Sequence, residues 1–321
     1  MIELNRRIEI LKTETYKNKK ERDFLNHCKY ILENMDEIYS RNKKEEMALF
    51  IFAINSGRIN RKEIPRNLFK YSGLDNSLKS IEGKYIWFSS VEGFNDPFEG
   101  IVPLDFNKTS NEEILKFLMF HRNRNNGIDI TKGKYRDISK NRKYCFDMIF
   151  NSVQKNVKET GVFCCSEKAD IITMWSHYAQ SHKGVCFEYD ILEDPSAFKY
   201  VSRVKYQSVF PSEIYINDSF PEKSVKKQEL LNKSLFTKSD IWKNEKEVRV
   251  IQQFKTGKTP IRTQCLKSVI FGLECPPEKR AVLIELLKNK DYNNDIVLKQ
   301  AFKKDGFYEL EMRPLGLLQD F

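Results

Sequence analysis

The sequence lacks the short motifs that mark several large enzyme classes. It contains no G-x-x-x-x-G-K-[S/T] phosphate-binding loop, no G-x-G-x-x-G dinucleotide fingerprint and no G-x-S-x-G serine elbow. These absences argue against P-loop nucleoside triphosphatases, Rossmann dehydrogenases and α/β-hydrolases. The seven cysteines include no C-x-x-C pair, and His177 and His182 have no ligand cluster beside them. Because zinc sites need three or four organised ligands, we expect no metal.

Long hydrophobic runs are also absent. The longest, Met47 to Ile54, has eight residues, whereas a membrane span needs about 20. No secretory leader follows Met1, and the cysteines form no regular framework. We therefore expect a cytoplasmic protein with reduced thiols and no membrane association.

Hydrophobic and basic residues are plentiful. The 321 residues are 40% hydrophobic and 12% aromatic, enough for a sizeable core. The net charge of +10 is uneven: residues 121–143 carry eight Lys or Arg against two Asp or Glu. A solvated surface is the preferred interpretation of this segment, and contact with nucleic acid is the alternative.

The chain divides into a helical N-terminal appendage, residues 1–62, and a main domain, residues 63–321. Apolar residues recur at helical spacing from Arg22 to Tyr39, and a second helix is predicted from Lys43 to Asn55. Their apolar faces must be covered by the main domain or by another copy of the chain. If another copy of the chain covers them, the protein is an oligomer.

The main domain is predicted to be α+β, with mixed sheets and interspersed helices, because short strands alternate irregularly with helices. The predicted strands are 68–71, 85–89, 162–165, 185–189, 201–206, 247–254, 268–271, 296–301 and 307–312. The predicted helices are 110–124, 140–160, 171–180, 222–236 and 277–288.

Four clusters place polar side chains beside large aromatic rings, at 94–99, 174–178, 182–185 and 242–249. Charged residues are rarely buried unless paired, so these clusters indicate a pocket. Glu245 and Glu247 stand two apart at the start of an apolar strand, which predicts that both project to one face with Arg249 next to them. Glu247 is then either a catalytic carboxylate or part of a structural Glu–Arg ladder under Trp242.

The other clusters also allow two interpretations. Trp175 and Tyr178 form the ring walls of a pocket in which His177 donates a hydrogen bond, or they belong to an aromatic core helix. The Asn95-Asp96-Pro97 tripeptide predicts a turn. Glu99 follows it, and its carboxylate is expected to meet Lys70 or a ligand hydroxyl.

These motifs together resemble an uncharacterised bacterial family, catalogued as domain of unknown function 2971. The resemblance spans roughly Leu68 to Leu310. Its further carriers are Leu68-Phe69-Lys70-Tyr71, Ile86-Trp87-Phe88-Ser89 and His182-Lys183-Gly184-Val185. The family name implies no activity.

A second resemblance is to ADP-ribosyltransferases. In one branch of that superfamily a basic residue, a serine motif and Glu-x-Glu follow each other on successive strands. Here Lys70, Ser89-Ser90 and Glu245-Lys246-Glu247 stand in that order. That branch has arginine where this chain has Lys70, and it has no counterpart of Asn95-Asp96-Pro97.

The second resemblance implies an enzyme that uses NAD as substrate, transferring ADP-ribose or cleaving NAD, with Glu247 and Glu245 catalytic. The resemblance to bacterial accessory families implies a toxin or phage-defence role. The residues expected to bind the nucleotide are Lys70, Tyr71, Ser89, Asn95, Asp96, Glu99, Trp175, His177, Tyr178 and Arg249.

Two alternatives remain open. One is a metal-dependent nuclease, in which Asp96, Glu99, Glu245 and Glu247 bind Mg²⁺ and the segment 121–143 binds the polyanion. The other is a non-enzymatic module whose aromatic clusters recognise a nucleotide or a protein partner. All three hypotheses assume that the clusters converge in space.

Overall fold

The computed structural model describes residues 65–115, 138–194, 196–198, 200–213 and 223–321. The predicted appendage 1–62 and the basic residues 121–137 lie outside them. The strands are β1 (Asn67–Ser72), β2 (Tyr85–Phe88), β3 (Gly161–Ser166), β4 (Val185–Asp190), β5 (Val201–Arg203), β6 (Lys205–Gln207), β7 (Thr237–Ser239), β8 (Glu247–Gln252), β9 (Gly257–Pro260), β10 (Leu266–Phe271), β11 (Val297–Lys303) and β12 (Leu310–Leu317). The helices are α1 (Leu74–Glu82), α2 (Ile138–Glu159), α3 (Ile172–Tyr178), α4 (Lys223–Phe236) and α5 (Pro277–Asn289).

Eight strands form a mixed sheet in the order β12-β11-β10-β4-β1-β3-β8-β5. The neighbours β10 and β11 are parallel and are joined through α5, and the other neighbouring pairs are antiparallel. Two small pairs, β2 with β9 and β6 with β7, complete the described strands. The α+β prediction with mixed sheets is confirmed.

The predicted strands correspond to observed ones, with two differences: 201–206 is split into β5 and β6, and 307–312 overlaps β12 only at 310–312. The strands β7 and β9 and the helix α1 were not predicted. Strands of three or four residues carry too little alternation to be read from sequence. The signal for α1 was present, because Leu74, Leu78 and Ile81 follow helical spacing. Of the predicted helix 110–124, the described part 111–115 is helical.

Helices cover both faces of the sheet. Alternating side chains of the central strands send Leu68, Phe187 and Val250 into the largest core, which α1 and α5 complete. On the opposite face, α3 packs Trp175 against its own smaller core. A third core lies under α2 and α4. Among the described helices, none is long and apolar enough to cross a membrane.

The sheet opens between β1 and β3. All six residues of β1 pair with β4, and all six of β3 pair with β8. In contrast, β1 and β3 share a single register pair, Phe69 with Ser166. Beyond it the strands diverge, and backbone groups along the gap need other partners. One such group, the carbonyl of Cys164, accepts a hydrogen bond from the Lys70 ammonium at 2.9 Å.

Gly184 marks a place where two backbones approach too closely for a side chain. A Cβ at this position would lie 2.3 Å from the carbonyl oxygen of Ser72. We expect Gly184→Ala to lower the free energy of unfolding by about 1–3 kcal/mol, the range for overpacking. A Cβ at Gly93 would meet no atom within 4 Å, so Gly93→Ala is the matched control. Equal denaturation midpoints for the two variants would contradict the observed approach.

Candidate functional site

Five charged side chains form one buried ionic cluster: Glu99, Lys238, Glu245, Glu247 and Arg249. None is more than 6% exposed. The Lys238 ammonium lies 3.1 Å from Glu99, 2.6 Å from Glu245 and 3.2 Å from Glu247. Arg249 binds both oxygens of Glu247, at 2.7 and 2.9 Å, and also contacts Glu99. Three carboxylates therefore share two cations.

Separate elements bring the five residues together. Glu247 and Arg249 lie on the face of β8 opposite Val248 and Val250, as the alternation predicted. Glu245 does not share that strand, because it ends a 3-10 helix and is followed by Lys246 in the left-handed conformation, with φ of 47°. The two glutamates therefore meet through this tight turn and their common partner Lys238. The expectation that both stand on one strand is corrected in this respect.

Aromatic rings and backbone groups complete the cluster. The Arg249 guanidinium lies 5.1 Å from the ring centre of Phe94, and Lys238 lies 5.0 Å from that of Trp242. Arg249 also donates to the carbonyl of Leu235 at the end of α4, at 2.6 Å. This packing excludes water, which strengthens each ionic contact.

The pKa values of Glu247 and Glu99 are shifted in opposite directions. Burial raises the pKa of Glu247, but Arg249 and Lys238 outweigh burial and lower it to about 2. For Glu99, burial raises the pKa above the usual range despite Arg249, and the charge of Glu247 adds to the rise. Glu247 is therefore the permanent anion of the cluster, and Glu99 is its preferred proton acceptor.

A cleft of about 760 Å³ is lined mainly by β1, α1 and β2, and Phe163 is its one lining residue from β3. Lysines and aromatic rings line much of it, including Lys70, Lys79, Lys258, Tyr85, Trp87 and Tyr178. The Tyr178 hydroxyl donates to Glu245 at 2.9 Å. This hydrogen bond connects the cleft to the ionic cluster.

The cleft contains four of the residues predicted to bind a nucleotide: Lys70, Tyr71, Ser89 and Tyr178. Asn95 reaches its edge, because its side-chain amide donates to the Tyr178 hydroxyl at 3.3 Å. Three of the four predicted clusters therefore converge, through Asn95, Tyr178 and Glu245.

Other predicted residues have different positions. Trp175 has no exposed surface, and its indole N–H donates to the carbonyl of Ala169 at 2.7 Å, so it lies in the core. His177 is exposed on α3 and contacts only the edge of Tyr178 among the described rings. Arg249 lies within the ionic cluster. Asp96 and Glu99 line a second, smaller pocket.

Lys238 is the central residue that sequence reasoning missed. It lies in β7, which is only three residues long, and no motif surrounds it. Tyr206, also missed, accepts a hydrogen bond from the backbone N–H of Glu247 at 2.8 Å. Nothing in the local pattern of either residue signals these contacts.

The carboxylates do not leave an open position for a metal. The Lys238 ammonium lies between Glu99, Glu245 and Glu247, where a bound cation would be expected. Within the described ranges, no group of three or more His, Cys, Asp or Glu side chains is arranged to hold a metal ion. The geometry favours ion pairing for these residues.

Residues 174–250 match the model of a family described as "Protein of unknown function (DUF2971)". The predicted resemblance to this family is confirmed over these residues, and its predicted extent from Leu68 to Leu310 stays a prediction. The DUF2971 segment contains Tyr178 and four of the five charged residues of the cluster, all but Glu99. No curated protein and no solved structure matches the chain significantly. The resemblance to ADP-ribosyltransferases therefore stays a prediction.

Removing the charge of Glu247 tests its structural role. We expect Glu247→Gln to destabilise the protein by about 3–5 kcal/mol, because Arg249 and Lys238 lose a buried partner. The control is Glu309→Gln, which breaks an exposed pair with Lys304 and should cost less than about 1 kcal/mol. Urea denaturation measures both, and equal costs would show that the cluster is not a structural centre.

We expect the ionisation of Glu247 to make the free energy of unfolding depend on pH in acid. Its pKa of about 2 in the folded protein lies below the usual 4.5. Its stabilising contribution is therefore complete above pH 4.5 and is lost as the pH falls towards 2. We expect the stability difference between the native chain and Glu247→Gln to shrink over that range. A difference that is constant from pH 6 to pH 3 would contradict the lowered pKa.

Proposed function

We propose that the cleft lined by β1, α1 and β2 binds a nucleotide and that the protein uses NAD as substrate, transferring its ADP-ribose or hydrolysing it. The observation that supports this most is the cleft itself. It combines lysines, aromatic rings and a tyrosine whose hydroxyl is bonded to a buried carboxylate. Lysines can bind a pyrophosphate and aromatic rings can stack on a base.

The cleft suits a dinucleotide in size and in chemistry. Its volume of about 760 Å³ falls in the range of small-molecule sites. Lys70, Lys79 and Lys258 can bind the pyrophosphate through charge-assisted hydrogen bonds. Tyr85 and Trp87 offer ring surfaces for stacking a base, and Trp87 is 52% exposed.

The proposed reaction needs little more than fixed negative charge. The bond between C1′ of the ribose and the nicotinamide nitrogen breaks, and nicotinamide leaves as a neutral molecule with the bonding electrons. The ribosyl group becomes positively charged. Water or a nucleophile on an acceptor then forms a bond to C1′ and releases a proton. A carboxylate close to the ribose stabilises the cationic transition state in a site with little water.

The contacts favour Glu245 over Glu247 as that carboxylate. Both oxygens of Glu247 are bound by Arg249, and one also contacts Lys238. Glu245 is also paired with Lys238, through Oε2, but its Oε1 accepts the hydrogen bond of Tyr178, which lines the cleft. In this proposal Tyr178 is the catalytic residue that contacts the ribose. Glu245 is the positioning residue that orients its hydroxyl and supplies charge, and Glu247 stabilises the cluster.

A bacterial toxin or phage-defence role is carried over as part of the proposal, because depletion of NAD or modification of a target fits either role. The nuclease alternative is supported less, because Mg²⁺ would have to displace Lys238 from the three glutamates. A binding module without catalysis would use the same cleft and differs only in turnover.

The test measures NAD binding and nicotinamide release by the purified full chain. We expect Tyr178→Phe and Glu245→Gln to reduce kcat about 10²–10³-fold while KM changes little. Lys70→Ala should show the opposite pattern, raising KM about tenfold at nearly constant kcat, because a charged hydrogen bond is typically worth about 1.5–3 kcal/mol. The matched control is Lys279→Ala, an exposed lysine of α5 outside the cleft.

Melting temperatures of all variants separate loss of function from loss of folding. NAD binding without nicotinamide release in the native chain would favour the binding module. A folded protein that neither binds nor cleaves NAD would contradict the proposal. Equal effects of Lys70→Ala and Lys279→Ala on KM would show that the cleft does not bind NAD.

A further inference from the structure

A second pocket, of about 180 Å³, adjoins the ionic cluster and shares no lining residue with the cleft. Asp96, Glu99 and Lys238 form its polar wall. It is too small for a dinucleotide, and the proposed NAD chemistry does not use it.

Asp96 is the unexplained group of this pocket. The residue is only 5% exposed. One carboxylate oxygen accepts the backbone N–H of Phe98 at 2.9 Å. The other oxygen, Oδ2, is buried and has no hydrogen-bond partner among the described residues. Buried carboxylate oxygens rarely lack a donor, and each exception needs an explanation.

The charge around the pocket is negative once existing pairs are counted. Lys238 already contacts three glutamates, and Lys233 is paired with Glu213. The cluster behind the wall has three carboxylates for two cations, so one negative charge is in excess while Glu99 is ionised. Asp96 adds a second. We therefore expect the group that donates a hydrogen bond to Asp96 Oδ2 to be positively charged.

The rim of the pocket is apolar. Four lining side chains are unusually exposed for their type: Phe98 at 65%, Ile101 at 39%, Val209 at 74% and Phe210 at 45%. Exposed apolar side chains that are gathered at one opening mark a binding site. A hydrated metal ion would gain nothing from such a rim, whereas a carbon chain that ends in a cation would bury against it.

We propose that this pocket binds an organic cation: a primary ammonium or guanidinium group on a short apolar stem, which donates to Asp96 Oδ2. The chemistry is shared by free alkylamines and by lysine or arginine side chains of another protein. The site is independent of NAD binding, so either proposal can fail without the other.

The probes are four molecules of similar size: n-butylguanidinium, n-butylammonium, n-butanol and n-butyrate. Ligand-observed NMR with the full chain measures their binding. We expect the two cations to bind at least tenfold more tightly than butanol, and butyrate not to bind. Asp96→Asn keeps the acceptor for Phe98 and should weaken cation binding at least tenfold. Asp305→Asn, an exposed aspartate, is the control.

A second variant keeps the test decisive if Asp96→Asn folds poorly. Phe210→Ala alters only the exposed rim and should weaken butylguanidinium binding several-fold. Blocked tripeptides with arginine or glutamine at the centre distinguish the sources. Preference for the arginine peptide over butylguanidinium identifies a protein side chain, and the reverse identifies a free amine.

Besides competition by NAD, three results would overturn the proposal. They are equal binding of butanol and the cations, unchanged cation binding by folded Asp96→Asn, and competition by millimolar Mg²⁺ or Ca²⁺ that shows a site for a hard metal ion. Competition by NAD would place the cations in the cleft instead and would also overturn it.

Discussion

The buried pairing of Arg249 and Lys238 with three glutamates is the interaction on which the rest of this structure depends. Removing five charged groups from water is costly, and only their mutual contacts and hydrogen bonds offset that cost. Each member therefore needs the others in place. The loop that carries Glu99, the strand β7, the turn at Lys246 and the end of α4 are fixed by this requirement.

The cluster also determines what the cleft contains. Glu245 accepts a hydrogen bond from the hydroxyl of Tyr178, the last residue of α3. The same hydroxyl accepts a hydrogen bond from the side-chain amide of Asn95. The strand β3 is held by β8, whereas β1 is held by β4, so two well-paired halves of the sheet meet at one residue pair. Lys70 satisfies a carbonyl of the gap from the β1 side. This hydrogen bond compensates in part for the backbone pairing that the gap lacks.

Two cavities of different character adjoin the same charges. The cleft presents lysines and rings, which suit an anionic, aromatic ligand. The small pocket is lined by Asp96, one of whose carboxylate oxygens has no partner in the described part of the chain, and has an apolar rim; this combination suits a cation. The cluster separates them and carries one excess negative charge. The two cavities share no lining residue, so their ligands are expected to bind independently.

The sequence by itself determined the α+β class, most strands and the importance of the polar-aromatic clusters, because period-2 patterns and charged residues among rings are local signals. It also placed Glu247 and Arg249 on one face. Lys238, Tyr206 and the gap between β1 and β3 were decided only by tertiary structure. A three-residue strand has no pattern of its own, and pairing between segments far apart in the chain leaves no mark in either segment. Trp175 shows the same limit. The sequence around a tryptophan does not distinguish a core position from a pocket position, and only its burial in the folded protein does.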